Sequence, residues 1–80
     1  MRYFSKIRSI SERCFNRVVN DGVSVLYHSG SRFSICLRND FAYVYIRGFG
    51  YSRFDLRVWS ISEVFLYCRE FYDETREVSF

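Results

Sequence analysis

Between Val23 and Val58 lie four segments in which apolar side chains recur at every second position. Val23, Val25 and Tyr27 alternate with Ser24, Leu26 and His28, and Phe33, Ile35 and Leu37 alternate with Arg32, Ser34, Cys36 and Arg38. Ala42, Val44 and Ile46 alternate with Phe41, Tyr43, Tyr45 and Arg47; Phe54, Leu56 and Val58 alternate with Arg53, Asp55 and Arg57. Period two marks strands with one buried face, so strands are expected near 23–28, 32–38, 41–47 and 53–58. Asn39-Asp40 is a two-residue hairpin signal, and Ser29-Gly30-Ser31 supplies a three-residue turn. A two-residue loop at Asn39-Asp40 sets Phe33 opposite Ile46, Ile35 opposite Val44 and Leu37 opposite Ala42, an entirely apolar face. The other face pairs Ser34 with Tyr45, Cys36 with Tyr43 and Arg38 with Phe41. The preceding turn sets Tyr27 opposite Phe33 and Val25 opposite Ile35. The facings agree across three strands, as a one-sided sheet requires.

Helical spacing flanks this block. Ile7, Ile10, Cys14 and Val18 follow steps of three and four, predicting a helix over 6–20 with Ser5 as N-cap and Asn20-Asp21-Gly22 as the stop. Ile61, Phe65, Cys68 and Tyr72, widened by Val64 and Phe71, predict a second helix over 61–76. The tetrapeptide SISE occurs at 9–12 and at 60–63. The second copy forms a capping box, Ser60 with Glu63, with Trp59 and Val64 placed as a hydrophobic staple. The first copy falls inside the first helix. Both apolar stripes need burial, and the apolar sheet face offers it. The expected fold is α+β: a two-layer, four-stranded antiparallel meander with two helices packed on one face, in the order α-β-β-β-β-α, as a single domain over 1–80.

At 80 residues such a domain buries only about 60–65% of its unfolded surface, so large rings matter, and 21% of the residues are aromatic. The three cysteines, Cys14, Cys36 and Cys68, are odd in number and lack C-x-x-C spacing. They are expected as reduced thiols of a cytoplasmic protein, with Cys14 and Cys68 buried and Cys36 accessible. No apolar run approaches the roughly 20 residues of a membrane span. His28 is the single histidine and sits at a strand end beside a turn, a pairing residue rather than a general base. Cys36 is placed on the same face but several positions away. No enzyme, metal site or cofactor is expected. The carboxylates Glu70, Asp73, Glu74 and Glu77 fall on the outer side of the second helix as a solvated face.

The face left uncovered carries Arg32, Arg38, Arg47, Arg53 and Arg57 around Phe41, Tyr43 and Tyr45, with Asp55 as its acid. An early start to the last strand adds Phe49 and Tyr51. Lys6 is the single lysine among twelve basic residues in a chain of net charge +3, and arginine suits bidentate contacts. The stretch Arg47-Gly48-Phe49-Gly50-Tyr51-Ser52-Arg53-Phe54 resembles the octapeptide of the RNA-recognition family, K/R-G-F/Y-G/A-F-V-x-F/Y. That resemblance implies rings that stack on bases and a basic first residue that meets phosphate. The family carries its octapeptide on the third strand of a βαββαβ order, whereas here it opens a fourth strand, and its two glycines equally suit a loop after Ile46.

Tyr, Phe and Arg are also the residues enriched in protein interfaces. The expectation is therefore a small non-enzymatic binding protein that occupies a surface of a larger protein or ribonucleoprotein complex, in the manner of an inhibitor. The class-level analogy is to accessory proteins of phages and mobile elements, anti-defence and anti-CRISPR proteins among them. A homodimer through the exposed sheet face is a further expected partner. The alternative is a single-stranded RNA- or DNA-binding module using the aromatic and arginine-rich face. Arg32, Arg38, Phe41, Tyr43, Tyr45, Arg47, Phe49, Tyr51, Arg53 and Arg57 form the candidate binding surface in either case.

Overall fold

Alternation and turn chemistry build an α+β fold with an antiparallel sheet and two helices. The computed structural model describes the backbone of residues 7–78 and the side chains of residues 7–70. The elements are β1 (Ile7–Ile10), α1 (Glu12–Val19), β2 (Val25–Ser29), β3 (Phe33–Arg38), β4 (Phe41–Ile46), β5 (Gly50–Asp55) and α2 (Ile61–Val78). The strands form one five-stranded sheet in the order β1-β5-β4-β3-β2.

The Asn39-Asp40 hairpin has the register expected of it, from Phe33↔Ile46 through Ile35↔Val44 to Arg38↔Phe41. Asn39 takes the left-handed φ of 56° that such a turn demands. The β4–β5 hairpin closes through Arg47-Gly48-Phe49, with the Phe49 amide donating to the Ile46 carbonyl at 2.9 Å. Gly48 at φ 86° and Gly50 at φ 107° supply the backbone angles. The first four residues of the octapeptide are thus mainly a turn, and β5 runs over 50–55 rather than 53–58. The strand ends at Asp55, whose carboxylate accepts the Arg57 amide at 2.9 Å and whose carbonyl accepts those of Val58 and Trp59.

Three expectations change. The expected first helix is a strand followed by a shorter helix, so the sheet has five strands and the order is β-α-β-β-β-β-α. Ile7 pairs with Phe54 and Ile10 with Tyr51. Three residues apart on a strand, Ile7 and Ile10 face opposite sides, where on a helix they would share one. The helix is capped at Ser11, whose Oγ accepts the Cys14 amide at 3.0 Å; Ser5 lies outside the described residues.

The β2–β3 register also differs, with Val25↔Leu37, Leu26↔Cys36, His28↔Ile35 and Ser29↔Ser34. A bulge at Tyr27 takes up one residue, so Tyr27 and His28 both reach the α2 side, where Tyr27 meets Phe65 edge-on and His28 stacks on Phe33. His28 is half-buried and now faces away from Cys36.

The helices, finally, lie on opposite faces, giving three layers. α2 covers Phe33, Ile35, Ala42, Val44, Ile46 and Phe54 with Val64 and Cys68. α1 sets Phe15 and Val18 on Cys36 and Tyr43, flanked by Tyr45 and Tyr51. Both faces of the sheet are apolar enough to demand cover, which one-sided alternation conceals. The α2 start matches its expected capping box: the Ser60 amide donates to Glu63 Oε1 at 2.9 Å and the Glu63 amide to Ser60 Oγ at 3.2 Å. Trp59 and Val64, the staple pair, are both buried in the same cluster. The expected inward residues Phe71 and Tyr72 and the acids Asp73, Glu74 and Glu77 have side chains outside those described.

Candidate functional site

α1 packs on the second sheet face over β4 and β5, and the ten expected site residues fall into four groups. Tyr43, Tyr45 and Tyr51 lie beneath the helix. Phe15 packs 5.0 Å from Tyr51 and 6.5 Å from Tyr45, and Tyr45 and Tyr51 are 4.8 Å apart. Burial pushes the Tyr51 phenol upward, and the neighbouring Glu12 carboxylate adds to that shift by charge and hydrogen bonding. These rings are packing residues of a second small core rather than open stacking platforms.

Arg38 forms an ion pair with Asp21. The same carboxylate accepts the Val23 amide at 2.8 Å and the Ser24 amide at 3.0 Å. Those two amides, and then Arg38, lower its pKa to about 2. Ser24 Oγ donates to the Val18 carbonyl at 2.9 Å. The network ties the end of α1 and the approach to β2 onto the end of β3, so Arg38 has a positioning role.

Arg32, Arg47 and Phe49 cluster at the loop end of the sheet, where the Arg47 amide donates to the Arg32 carbonyl at 2.9 Å. All three are exposed. Phe41, Arg53 and Arg57 gather at the opposite end, at the corner that α1 leaves open. The Arg53 guanidinium lies 4.3 Å from the centre of the Phe41 ring and that of Arg57 lies 6.0 Å from it, both within cation–π range. Arg57 also grips buried Asp55 with Nε at 3.0 Å and Nη2 at 2.9 Å. With Ile7 and Arg8 these residues line a cleft of about 340 Å³.

Arg8 joins this candidate cleft although a helix was expected over 6–20. A signal was present: Ser11 directly before Glu12 is an N-cap with an acid in the first turn, which releases 7–10 for a strand.

The edge strand β2 carries a second exposed surface. The exposed large apolar residues among those described are Val19, Val23, Val25, Leu26, Tyr27, Phe49 and Leu66. Five of these seven fall within 19–27. Val25 and Tyr27 emerge toward the α2 face and Leu26 toward the α1 face, so the strip wraps the edge. No charged residue occurs from Gly22 to Ser31.

Among the described residues no three His, Cys, Asp or Glu side chains gather as metal ligands, and no helix is long and apolar enough to cross a membrane. Comparison of the chain with protein-family models, curated proteins and solved structures finds no match.

Proposed function

We propose that this chain is a non-enzymatic binding domain that occupies a surface of a larger protein, inhibitor-like, and docks through the β2 edge. The observation that carries this reading is the apolar strip at 19–27, with Val23 66%, Val25 62% and Leu26 62% exposed. An edge strand presents unpaired backbone donors and acceptors, and proteins ordinarily guard such an edge with lysine or other charges. Here the guard is only the bulge at Tyr27. The complement of an uncharged apolar edge is an extended, uncharged segment of the partner, joined by backbone hydrogen bonds with side chains filling in on either face.

The single-stranded nucleic acid alternative depends on stacking rings, and Tyr43, Tyr45 and Tyr51 are occupied by α1. That ranks it second. The test is affinity capture from lysate, with and without nuclease, using the native chain, Leu26→Glu and Arg53→Gln. The expected result is a defined protein partner that survives nuclease, is retained by Arg53→Gln and is lost with Leu26→Glu. Capture that requires nucleic acid, or that ignores Leu26→Glu, rejects the reading. A second copy of the chain as the sole partner, detected as a dimer by light scattering, replaces the larger protein.

A further inference from the structure

The corner that α1 leaves open combines three arginines with one ring, at the sheet edge farthest from β2. Arg8 and Arg53 stand directly opposite each other on β1 and β5. Directly opposed side chains on antiparallel strands have Cβ atoms about 4.5–5.5 Å apart, and like charges so placed oppose pairing. Arg53 is steadied by the Phe41 face at 4.3 Å. Arg57 is committed to Asp55 through two hydrogen bonds and also feels the charge of Asp40. Among the described residues no carboxylate forms an ion pair with Arg8 or Arg53. The one carboxylate lining the cleft of about 340 Å³, Asp55, is held by Arg57, so among the described residues Arg8 and Arg53 leave an excess of positive charge at its wall. A local rule broken at one place in an otherwise consistent sheet points to function there.

We infer that this cleft binds a phosphomonoester dianion. Two guanidinium forks side by side match a tetrahedral group with two negative charges, because each fork offers parallel N–H donors to two oxygens. A carboxylate, with one charge and two oxygens, satisfies only one of them. A phosphodiester carries one charge and leaves the second arginine uncompensated. The Arg57–Asp55 pair fixes the cleft wall, and Phe41 holds Arg53 at the mouth rather than leaving it to swing into solvent. The cleft exceeds the size of phosphate itself, so part of the group carrying the phosphate also enters.

The site lies on a different edge from the proposed protein-docking strip, so each proposal fails or stands separately. The experiment is amide-resolved NMR titration of the whole chain at low salt. The probes are inorganic phosphate, adenosine 5′-monophosphate, the methyl ester of that nucleotide, and a phosphoserine peptide with its unphosphorylated counterpart. Saturable shifts centred on Arg8, Phe41 and Arg53 are expected with the monoesters. Affinity is expected to fall at least tenfold for the methyl ester and for each of Arg8→Gln and Arg53→Gln. Arg53→Lys, which keeps the charge but loses the fork, should also weaken binding. Arg8 is exposed on an edge strand, so Arg8→Gln keeps the test valid should Arg53→Gln unfold. The tighter of the nucleotide and phosphopeptide arms identifies the carrier. No saturable shift, equal binding of the diester, or binding unchanged in Arg8→Gln overturns the inference.

Discussion

Phe15 rests on Tyr51 with ring centroids 5.0 Å apart and planes inclined at 47°. Through this contact an eight-residue helix closes the sheet face that would otherwise present a row of tyrosines. Phe15 is the larger of the two α1 side chains in that cluster, beside Val18. So short a helix has little stability of its own, since nucleation costs are recovered only by tertiary packing.

Phe15→Ala is therefore expected to lower stability by about 3 kcal/mol, a large share of the roughly 5–15 kcal/mol that holds a small domain together. Urea denaturation measures the loss. Tyrosine fluorescence should report newly exposed rings in the folded variant. A change below about 1 kcal/mol would mean that α1 is not anchored by this ring.

The thiols provide an independent check of the layering. Cys36 is 3% exposed beneath α1 and Cys68, on the sheet-facing side of α2, is 0% exposed, whereas Cys14 is partly exposed. This reverses the expected accessibility of Cys36 and Cys14, because the face carrying Cys36 is covered. Burial raises the Cys68 thiol to about 12, which suppresses the reactive thiolate. Native-state labelling at pH 8 should modify Cys14 first, with Cys36 and Cys68 reacting only as the chain unfolds. Early modification of Cys36 would remove α1 from that face.

Asp21 gives a pH signature. Its carboxyl is lowered from 3.8 to about 2, chiefly by the amides of Val23 and Ser24 and then by Arg38. A depressed folded-state pKa stabilises above the unfolded value and loses that contribution as pH falls through the folded one. The Asp21 contribution is thus present above pH 3.8 and disappears toward pH 2. Carboxyl-detected NMR should place the midpoint near 2. Asp21→Asn should flatten the acid limb of the stability curve in that interval, and an unchanged limb would show that the turn and the Arg38 pair do not couple to folding.

Local chemistry was legible where neighbours in sequence settle their own geometry. The Asn39-Asp40 register and the Ser60–Glu63 box need only a few adjacent residues, so alternation and cap residues suffice. Residues 7–10 were not legible in that way. Ile7, Ile10, Cys14 and Val18 satisfy helical spacing, yet β1 gains its backbone partners from β5, more than forty positions away. At the candidate cleft, Phe41, Arg53 and Arg57 were recognisable as basic and aromatic residues on one face, but Arg8 joins them only through that long-range pairing.

The sequence by itself determined the Asn39-Asp40 hairpin, the second helix and its cap, and the abundance of arginine and rings on one strand parity. These follow from side-chain period and turn stereochemistry, which act within a few residues. Only the tertiary structure decided that α1 and α2 take opposite faces, that Tyr43 is buried under α1 with Tyr45 and Tyr51 packed beside it, and that Arg8 and Arg53 meet at an open corner. A period-two strand states that its faces differ, but which face is covered depends on where the remaining apolar area, here Phe15 and Val18, can be removed from water.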